Sequence, residues 1–529
     1  MVYTVLITDA VDPVCIDMLE QSGVRANVQL KKPSDELKAL AADADGWIIR
    51  SGTQITAELI DAAHALKVVG RAGVGVDNVD LEAATRRGIL VINTPDANTI
   101  STAEHTCAML LSLARRIPQA NQSLRSGEWD RKTFTGSELV DKTLGVIGVG
   151  KIGRAVAERM RGFGMRIIGF DPVLSEDVAR RAGVELVSMD EIFAQSDFIT
   201  IHTPLNDATR GLFNRTTLPT CKRGVRLINC ARGGIIDEDA LLEALESGQV
   251  GGAALDVYSK EPPPVELNRL LQHPNLIATP HIAASTEEAQ EKVARQITEQ
   301  VILALRGEPV ASPVNGMAIR MASQKEVRPY LELAEKLGQI AGQLSDGHIR
   351  RIALRCSGEA ARQYAEILTI GAVKGVLERW ASEPVNLINA PVLAEELGLR
   401  IEEQRESARG NYTNLLEVTL ESNGETYSVA GTIFGTDDLR LVQIDDYWLE
   451  VKPEGHLLLY RNVDRPGMLA SVGSILAASN INIGALSLGR TGKGSMALTA
   501  VSVDEPIPPE VLLRIAGIQG VESVRFVSV

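Results

Sequence analysis

Three polar side chains sit where an apolar run gives way to a loop: Arg232 in "LINCARGG", Glu261 in "VYSKEPP" and His281 in "ATPHIAAST". Imidazole is the side chain best suited to take and return a proton near neutral pH. A carboxylate beside it fixes its tautomer and favours its charged form, and a guanidinium can grip a substrate carboxylate through two parallel hydrogen bonds. Such a set would serve hydride transfer between a 2-hydroxy acid and a nicotinamide, with the histidine moving the hydroxyl proton. Taken singly, each residue has a plainer explanation: a loop arginine in water, a solvated glutamate before Pro262, a histidine satisfied in a turn.

A second motif supplies a place for the nicotinamide. In "LGVIGVGKIGRAVAERM" an apolar strand runs into Gly148, Gly150 and Gly153, with Lys151 and Ile152 between them, and then into a helix. Gly148 suits a tight turn, Gly150 lets backbone approach a pyrophosphate, and Gly153 lets helix pack on strand, while the helix N-terminus offers N–H groups. The next strand, "RIIGFDP", ends in Asp171, near the spacing of about 20 residues at which a carboxylate holds the adenosine ribose. Pro172 and Val173 follow instead of an arginine, which favours NAD over NADP.

The elements that must carry these groups are legible in the apolar pattern. From residue 3 to about 96, short runs such as "YTVLITD" and "LKVVGRAG" alternate with helix-like stretches, and a second such series runs from "KTLGVIGVG" to "NLIATPHIAAS". That alternation predicts two parallel sheets with crossover helices. Between them "STAEHTCAMLLSLARR" predicts one long helix, opened by a capping box of Ser101 and Glu104 and burying Ala103, Cys107, Leu110, Leu111 and Ala114. The helix in "TEEAQEKVARQITEQVILALRG" is expected to return to the first lobe, and "RGEPVASPVNG" reads as a linker. Beyond it, Asn423-Gly424 between alternating runs predicts a hairpin. The last stretch, from "HLLLYRNV" to "VESVRFVSV", reads strand, helix, strand, strand, helix, strand, a ferredoxin-like order.

Composition narrows the setting. With 529 residues, roughly 100 to 200 per domain gives three or four units. The excess of 68 acidic over 54 basic residues, a net charge of −14, argues against a nucleic-acid or anionic-membrane surface over the whole molecule. Five widely spaced cysteines without zinc spacing read as reduced thiols, and no metal site is expected. No leader or membrane-length apolar run is evident, so a cytoplasmic protein is expected.

Residues 142 to 285 closely resemble the D-isomer-specific 2-hydroxyacid dehydrogenases, through "GVIGVGKIGRAVA", "HTPLNDATRGLFN", "LINCARGGIIDEDAL", "GGAALDVYSKEPP" and "NLIATPHIAAST". The resemblance implies a Rossmann NAD-binding domain at 98–285 inserted into a flavodoxin-like substrate domain at 1–97 and 286–315. It implies that Arg232 binds the carboxylate and polarises the carbonyl, that Glu261 supports the histidine, and that His281 is the general acid/base. Thr203, Cys230, Asp256, Ala283 and Ala284 would line the cofactor pocket, Asp256 against the nicotinamide carboxamide.

Basic and amide groups on loops of an acidic chain, Arg50, Arg71, Asn98, Arg131 and Lys132, match the loops of family members that act on 3-phospho-D-glycerate. With Ser51, Gly73 and Val74 they would form the substrate site, Arg131 and Lys132 coming from a neighbouring subunit of a homodimer or homotetramer that uses the long helix as interface. Val74 stands where some relatives carry threonine. The tail, "YRNVDRPGMLASVGSILAASNINI", resembles an ACT domain at 453–529, preceded by an α+β intervening domain at 316–452. That likeness implies L-serine as an effector, held by Asn462, Asp464 and Asn482. The implied reaction is NAD-dependent oxidation of 3-phospho-D-glycerate to 3-phosphohydroxypyruvate, at the head of the phosphorylated route to serine. The alternatives are a relative acting on glycerate or 2-hydroxyglutarate and, from another class, a dinucleotide-sensing corepressor of the CtBP type.

Overall fold

A computed structural model describes residues 2–322, 324–381, 384–408, 412–492 and 494–529. The first sheet contains β1 (Thr4–Ile7), β2 (Arg25–Val28), β3 (Gly46–Ile49), β4 (Val68–Arg71) and β5 (Leu90–Ile92), all parallel, in the order β2-β1-β3-β4-β5. Its inner strands are apolar on both faces because helices cover both: Trp47, Ile48, Val68 and Val69 are all fully buried. Glycine at 46 and 70 lets the helix Glu287–Leu305 lie close, its Val301 within contact of both positions. The return of this helix to the first lobe, expected from sequence, is thus observed.

The second sheet contains β6 (Thr143–Ile147), β7 (Arg166–Phe170), β8 (Glu185–Leu186), β9 (Phe198–Ile201), β10 (Val225–Asn229), β11 (Val250–Leu255) and β12 (Leu276–Ala278). All pairings are parallel, in the order β12-β11-β10-β9-β6-β7-β8. Chain order therefore reverses between β6 and β9, and the loops leaving these two strands diverge around a crevice. Open α/β sheets bind ligands at such a point, outside the carboxyl ends of the strands.

The third sheet contains β13 (Ile349–Ser357), β14 (Arg400–Glu406), β15 (Leu415–Ser422), β16 (Glu425–Phe434), β17 (Asp438–Ile444) and β18 (Tyr447–Val451), in the order β14-β13-β15-β16-β17-β18. The hairpin β15–β16 turns at Asn423 and Gly424, both with positive φ, as that dipeptide predicts. The last sheet contains β19 (His456–Val463), β20 (Ile483–Arg490), β21 (Met496–Val503) and β22 (Val521–Ser528), antiparallel in the order β20-β21-β19-β22. Helices Met468–Ala478 and Pro509–Ala516 pack on it through Val472, Leu476 and Ile515, and the expected ferredoxin-like order is observed.

Residues 1–10, 16–93 and 297–529 form one compact unit, and residues 11–15 and 94–296 form a second. Two local expectations are corrected. The long helix spans Thr99–Arg115 with Asn98 in the N-cap position, so Ser101 lies inside it and no capping box forms. Ser101 Oγ instead meets Thr286 Oγ1 at 2.8 Å, and Glu104 faces Arg159. The stretch read as a linker is tied to the open edge of β5, where Pro313 bridges Ile92 and Asn315 accepts the Val91 N–H.

In the second unit, helix Lys151–Arg161 sits so close to β6 that a Cβ on Gly153 would lie 2.2 Å from the Gly148 carbonyl oxygen. Rigid backbone cannot yield to it cheaply, and overpacking costs typically about 1–3 kcal/mol. Gly153→Ala is expected to lower the urea midpoint of the full chain and to weaken dinucleotide binding. An unchanged midpoint would show that the helix moves freely.

Candidate active site

Arg232, Asp256 and His281 lie just past the carboxyl ends of β10, β11 and β12, three neighbouring strands. The Arg232 loop is folded by Asn229, whose Nδ2 donates to the Arg232 carbonyl at 2.9 Å and whose Oδ1 accepts the Ala231 N–H at 3.0 Å. Gly233 follows because nothing larger fits: a Cβ there would stand 1.8 Å from the Tyr258 carbonyl oxygen. The Arg232 loop is thereby pressed against the segment that carries Glu261.

Glu261 joins that segment to the histidine. Its Oε1 accepts the Tyr258 N–H at 3.1 Å, and its Oε2 lies 2.6 Å from His281 Nδ1. Burial pushes the Glu261 carboxyl up, but the bond and charge of His281, with the Tyr258 N–H, outweigh it and hold the group below the usual carboxylate range. An ionised Glu261 accepts from Nδ1–H, which leaves Nε2 as the nitrogen that exchanges protons. The His281 ring is 40% exposed, enough to meet a substrate. Its backbone is left-handed, with φ 52°, a conformation uncommon for a residue with a side chain.

Asp256 is what holds that backbone. The residue is fully buried. Its Oδ1 accepts from Thr279 Oγ1 at 2.5 Å and from the Ile282 N–H at 2.9 Å, and its Oδ2 accepts the Ala283 N–H at 2.9 Å. His105 Nε2 stands 3.4 Å from Oδ1. Burial raises the Asp256 pKa, and these donors together reverse the effect and hold it down. The family resemblance placed Asp256 in the cofactor pocket; in the structure its carboxylate accepts from the protein's own donors.

At the crevice between β6 and β9, Gly148 takes φ 88° with its Cα facing the His202 carbonyl, so close that a Cβ would lie 2.5 Å from that oxygen. Gly150 opens the helix and faces free space, with nothing within 4 Å of an added Cβ. Asp171 follows β7, accepting the Val149 N–H at 3.0 Å and, through its other oxygen, the N–H groups of Val173 and Leu174. Thr203 Oγ1 is buried without a protein partner. An open backbone cradle beside an orphaned hydroxyl fits a dinucleotide. Ile152 is partly buried, Lys151 pairs with Asp96, and Ala283 is buried beside half-buried Ala284. Cys230 is a buried neutral thiol, pushed up to about 12 by desolvation, and serves as wall.

In the other unit, Arg50 follows β3, its N–H donating to Asp9 Oδ2 at 2.6 Å and its Nη1 to the Ala10 carbonyl at 3.2 Å. Exposed Ser51 follows, while Arg71 ends the adjacent β4 ahead of Gly73 and Val74, whose carbonyl accepts from Asn93. In the second unit, Asn98 has a buried Oδ1 without a partner, and Arg131 and Lys132 are exposed on a loop shaped by Asp130. In the last sheet Asn462 is buried with Oδ1 unpaired, Asp464 accepts from Arg490 and the Gly494 N–H, and Asn482 Nδ2 donates to Asp504 at 2.7 Å. Sequence reasoning missed His105, Thr279 and His202. Only His105 left a signal, a polar residue within the motif "STAEHT" next to the helix's apolar stripe.

Comparison with known proteins agrees with this geometry. Residues 107–283 match the NAD binding domain of D-isomer specific 2-hydroxyacid dehydrogenases, 326–445 the D-3-phosphoglycerate dehydrogenase intervening domain, and 456–518 the ACT domain. A solved D-lactate dehydrogenase from Aquifex aeolicus, complexed with NAD and lactic acid, is 30% identical with a TM-score of 0.52, over 57% of this chain and 96% of its own. The class is thus an NAD-dependent oxidoreductase of the 2-hydroxyacid type. The D-3-phosphoglycerate dehydrogenase of Archaeoglobus fulgidus is 42% identical over 99% of both chains, and that of Bacillus subtilis 42% identical over 91% of this chain and 92% of its own. The chain belongs to the D-3-phosphoglycerate dehydrogenase family. Among the described residues no helix is long and apolar enough to cross a membrane.

His202, beside the cofactor crevice, lies with Nε2 2.9 Å from Thr200 Oγ1, and desolvation pushes its imidazole down from 6.5 to about 4. A histidine kept neutral in the fold contributes fully above pH 6.5, and that contribution is lost as pH falls toward 4, because the unfolded chain takes up the proton first. At pH 5 the loss is on the order of 2 kcal/mol. His202→Gln should therefore lose less stability than wild type between pH 7 and pH 5 in urea unfolding; equal losses would count against this origin.

Proposed function

We propose that this enzyme oxidises 3-phospho-D-glycerate to 3-phosphohydroxypyruvate with NAD, the first step of the phosphorylated route to L-serine. The observation that carries the reading is the His281–Glu261 pair at 2.6 Å, set in a chain that resembles D-3-phosphoglycerate dehydrogenases along nearly its whole length. Bound NAD would supply the acceptor for the hydride that leaves the substrate's C2. His281 Nε2 takes the C2 hydroxyl proton, and Glu261, held ionised, stabilises the imidazolium that results. Arg232 grips the carboxylate and polarises the developing carbonyl. Gly148, Gly150, Lys151, Ile152, Gly153 and Thr203 would cradle the cofactor, with Asp171 on its adenosine ribose.

In the same reading the substrate phosphate is bound by Arg50 and Arg71, aided by Ser51, Gly73, Val74 and Asn98, and by Arg131 and Lys132 of a neighbouring subunit in a homo-oligomer. The chain divides into a substrate domain at 1–97 and 286–315, a nucleotide domain at 98–285, an intervening domain at 316–452 and an ACT domain at 453–529. The last of these binds L-serine through Asn462, Asp464 and Asn482 and lowers the rate, and the enzyme works in the cytoplasm.

The test compares NADH oxidation with 3-phosphohydroxypyruvate and with hydroxypyruvate. Charge-assisted bonds are worth about 1.5–3 kcal/mol each, so two arginines on the phosphate should give at least a hundredfold preference in kcat/KM, reduced by Arg50→Ala or Arg71→Ala. Equal rates on the two acids would return both arginines to structural duty and make the protein a general hydroxyacid dehydrogenase. His281→Gln should lower kcat by roughly 10²–10⁴ with KM little altered; wild-type turnover in that variant would refute the assignment of the proton carrier.

A further inference from the structure

The proton carrier is placed by a residue that takes no part in the chemistry just described. His281 reaches its position through a left-handed backbone, φ 52°, that its own side chain does not favour. The segment from Thr279 to Ala283 is held in that shape by Asp256, which takes up the Thr279 hydroxyl and the Ile282 and Ala283 N–H groups. A fully buried carboxylate can do this only while its charge is compensated. Behind it, on helix Thr99–Arg115, His105 presents Nε2 3.4 Å from Asp256 Oδ1 and 3.3 Å from Thr279 Oγ1. The His105 side chain is 19% exposed, so the bond is shielded.

The neighbours leave this role to His105. From its own helix come Glu104, engaged by Arg159 of the helix Lys151–Arg161, and Cys107, pushed up to about 11. From the end of β10 comes Cys230, pushed up to about 12, and from the segment after β11 come Tyr258, also about 12, and Glu261, ionised on His281. The thiols and the phenol stay protonated, and the Tyr258 hydroxyl donates to the Leu255 and Thr279 carbonyls. His105 approaches Asp256 and Thr279 from the helix side.

We propose that His105 is a positioning residue for the dehydrogenase reaction: through Asp256 and Thr279 it fixes the loop that aims His281 Nε2. The inference rests on the reading of His281 as proton carrier. Without the His105 donor the loop gains freedom, so turnover falls while substrate binding, which does not involve this loop's far side, is kept.

Three variants of the full-length enzyme test this: His105→Leu, which removes the donor, His105→Gln, which keeps an N–H donor of similar reach, and Asp256→Asn. The readout is the split between kcat and KM with 3-phosphohydroxypyruvate and NADH. His105→Leu should lower kcat about tenfold or more with KM within about threefold. His105→Gln should restore most of the lost kcat. His105→Leu added to Asp256→Asn should cost little beyond Asp256→Asn alone. A folded His105→Leu enzyme with wild-type kcat would overturn the proposal. So would a folded His105→Gln enzyme as impaired as the leucine variant, which also decides the matter if the leucine variant fails to fold. An inactive wild type would instead overturn the functional reading, and with it the proposal that rests on it.

Discussion

A carboxylate without access to water underlies the arrangement of this site. Removing Asp256 from solvent costs several kcal/mol unless donors replace the lost water, and the fold supplies them from two neighbouring elements: the loop after β12 and the helix Thr99–Arg115. Because Thr279, Ile282 and Ala283 bracket His281, satisfying the carboxylate also dictates where the histidine goes. The left-handed backbone at His281, which costs on the order of 1–3 kcal/mol, persists because the residues around it are over-determined. A site that must hold a proton carrier to within a fraction of an ångström gains more from a fixed loop than from a relaxed one.

The same logic joins Arg232 to that frame. Gly233 lets the Arg232 loop touch the backbone of Tyr258. The Tyr258 N–H binds one Glu261 oxygen, and the other binds His281. Three residues distant in sequence are thereby tied through one short segment after β11. A side chain added at 233 or a glutamate removed at 261 would disturb both the carboxylate grip and the proton carrier. The parallel order of β10, β11 and β12 makes this economical, since adjacent parallel strands deliver consecutive loops to one edge of the sheet.

How much of this was legible in the sequence follows from where each residue sits. Arg232, Glu261, His281 and the Gly148–Gly153 loop stand just beyond apolar strands, and a strand end is visible as the point where an apolar run stops. The alternating pattern also revealed the two parallel sheets, the hairpin at Asn423-Gly424 and the final ferredoxin-like order. Other features depend on contacts that no local pattern encodes. Ser101 and Glu104 have the spacing of a capping box, but the helix begins earlier, and both side chains are engaged by distant residues, Thr286 and Arg159. The proline-rich stretch before Gly316 looks like a free linker because its role depends on the unpaired edge of β5, which only the folded sheet creates.

His105 shows the limit most clearly. On a helix it reads as one polar residue beside an apolar stripe, a signal that does not tell a site from a solvated face. Its meaning comes from Asp256, itself placed against the cofactor only by resemblance to the family. A buried acid makes demands in every direction, and a motif reports only the direction that faces the ligand. The groups that compensate the acid from behind need only donate a hydrogen bond, so their identity is free to be any donor of suitable reach. Such supporting positions can therefore be found from geometry, where the unmet demand of the carboxylate points to them, long before any spacing rule would single them out.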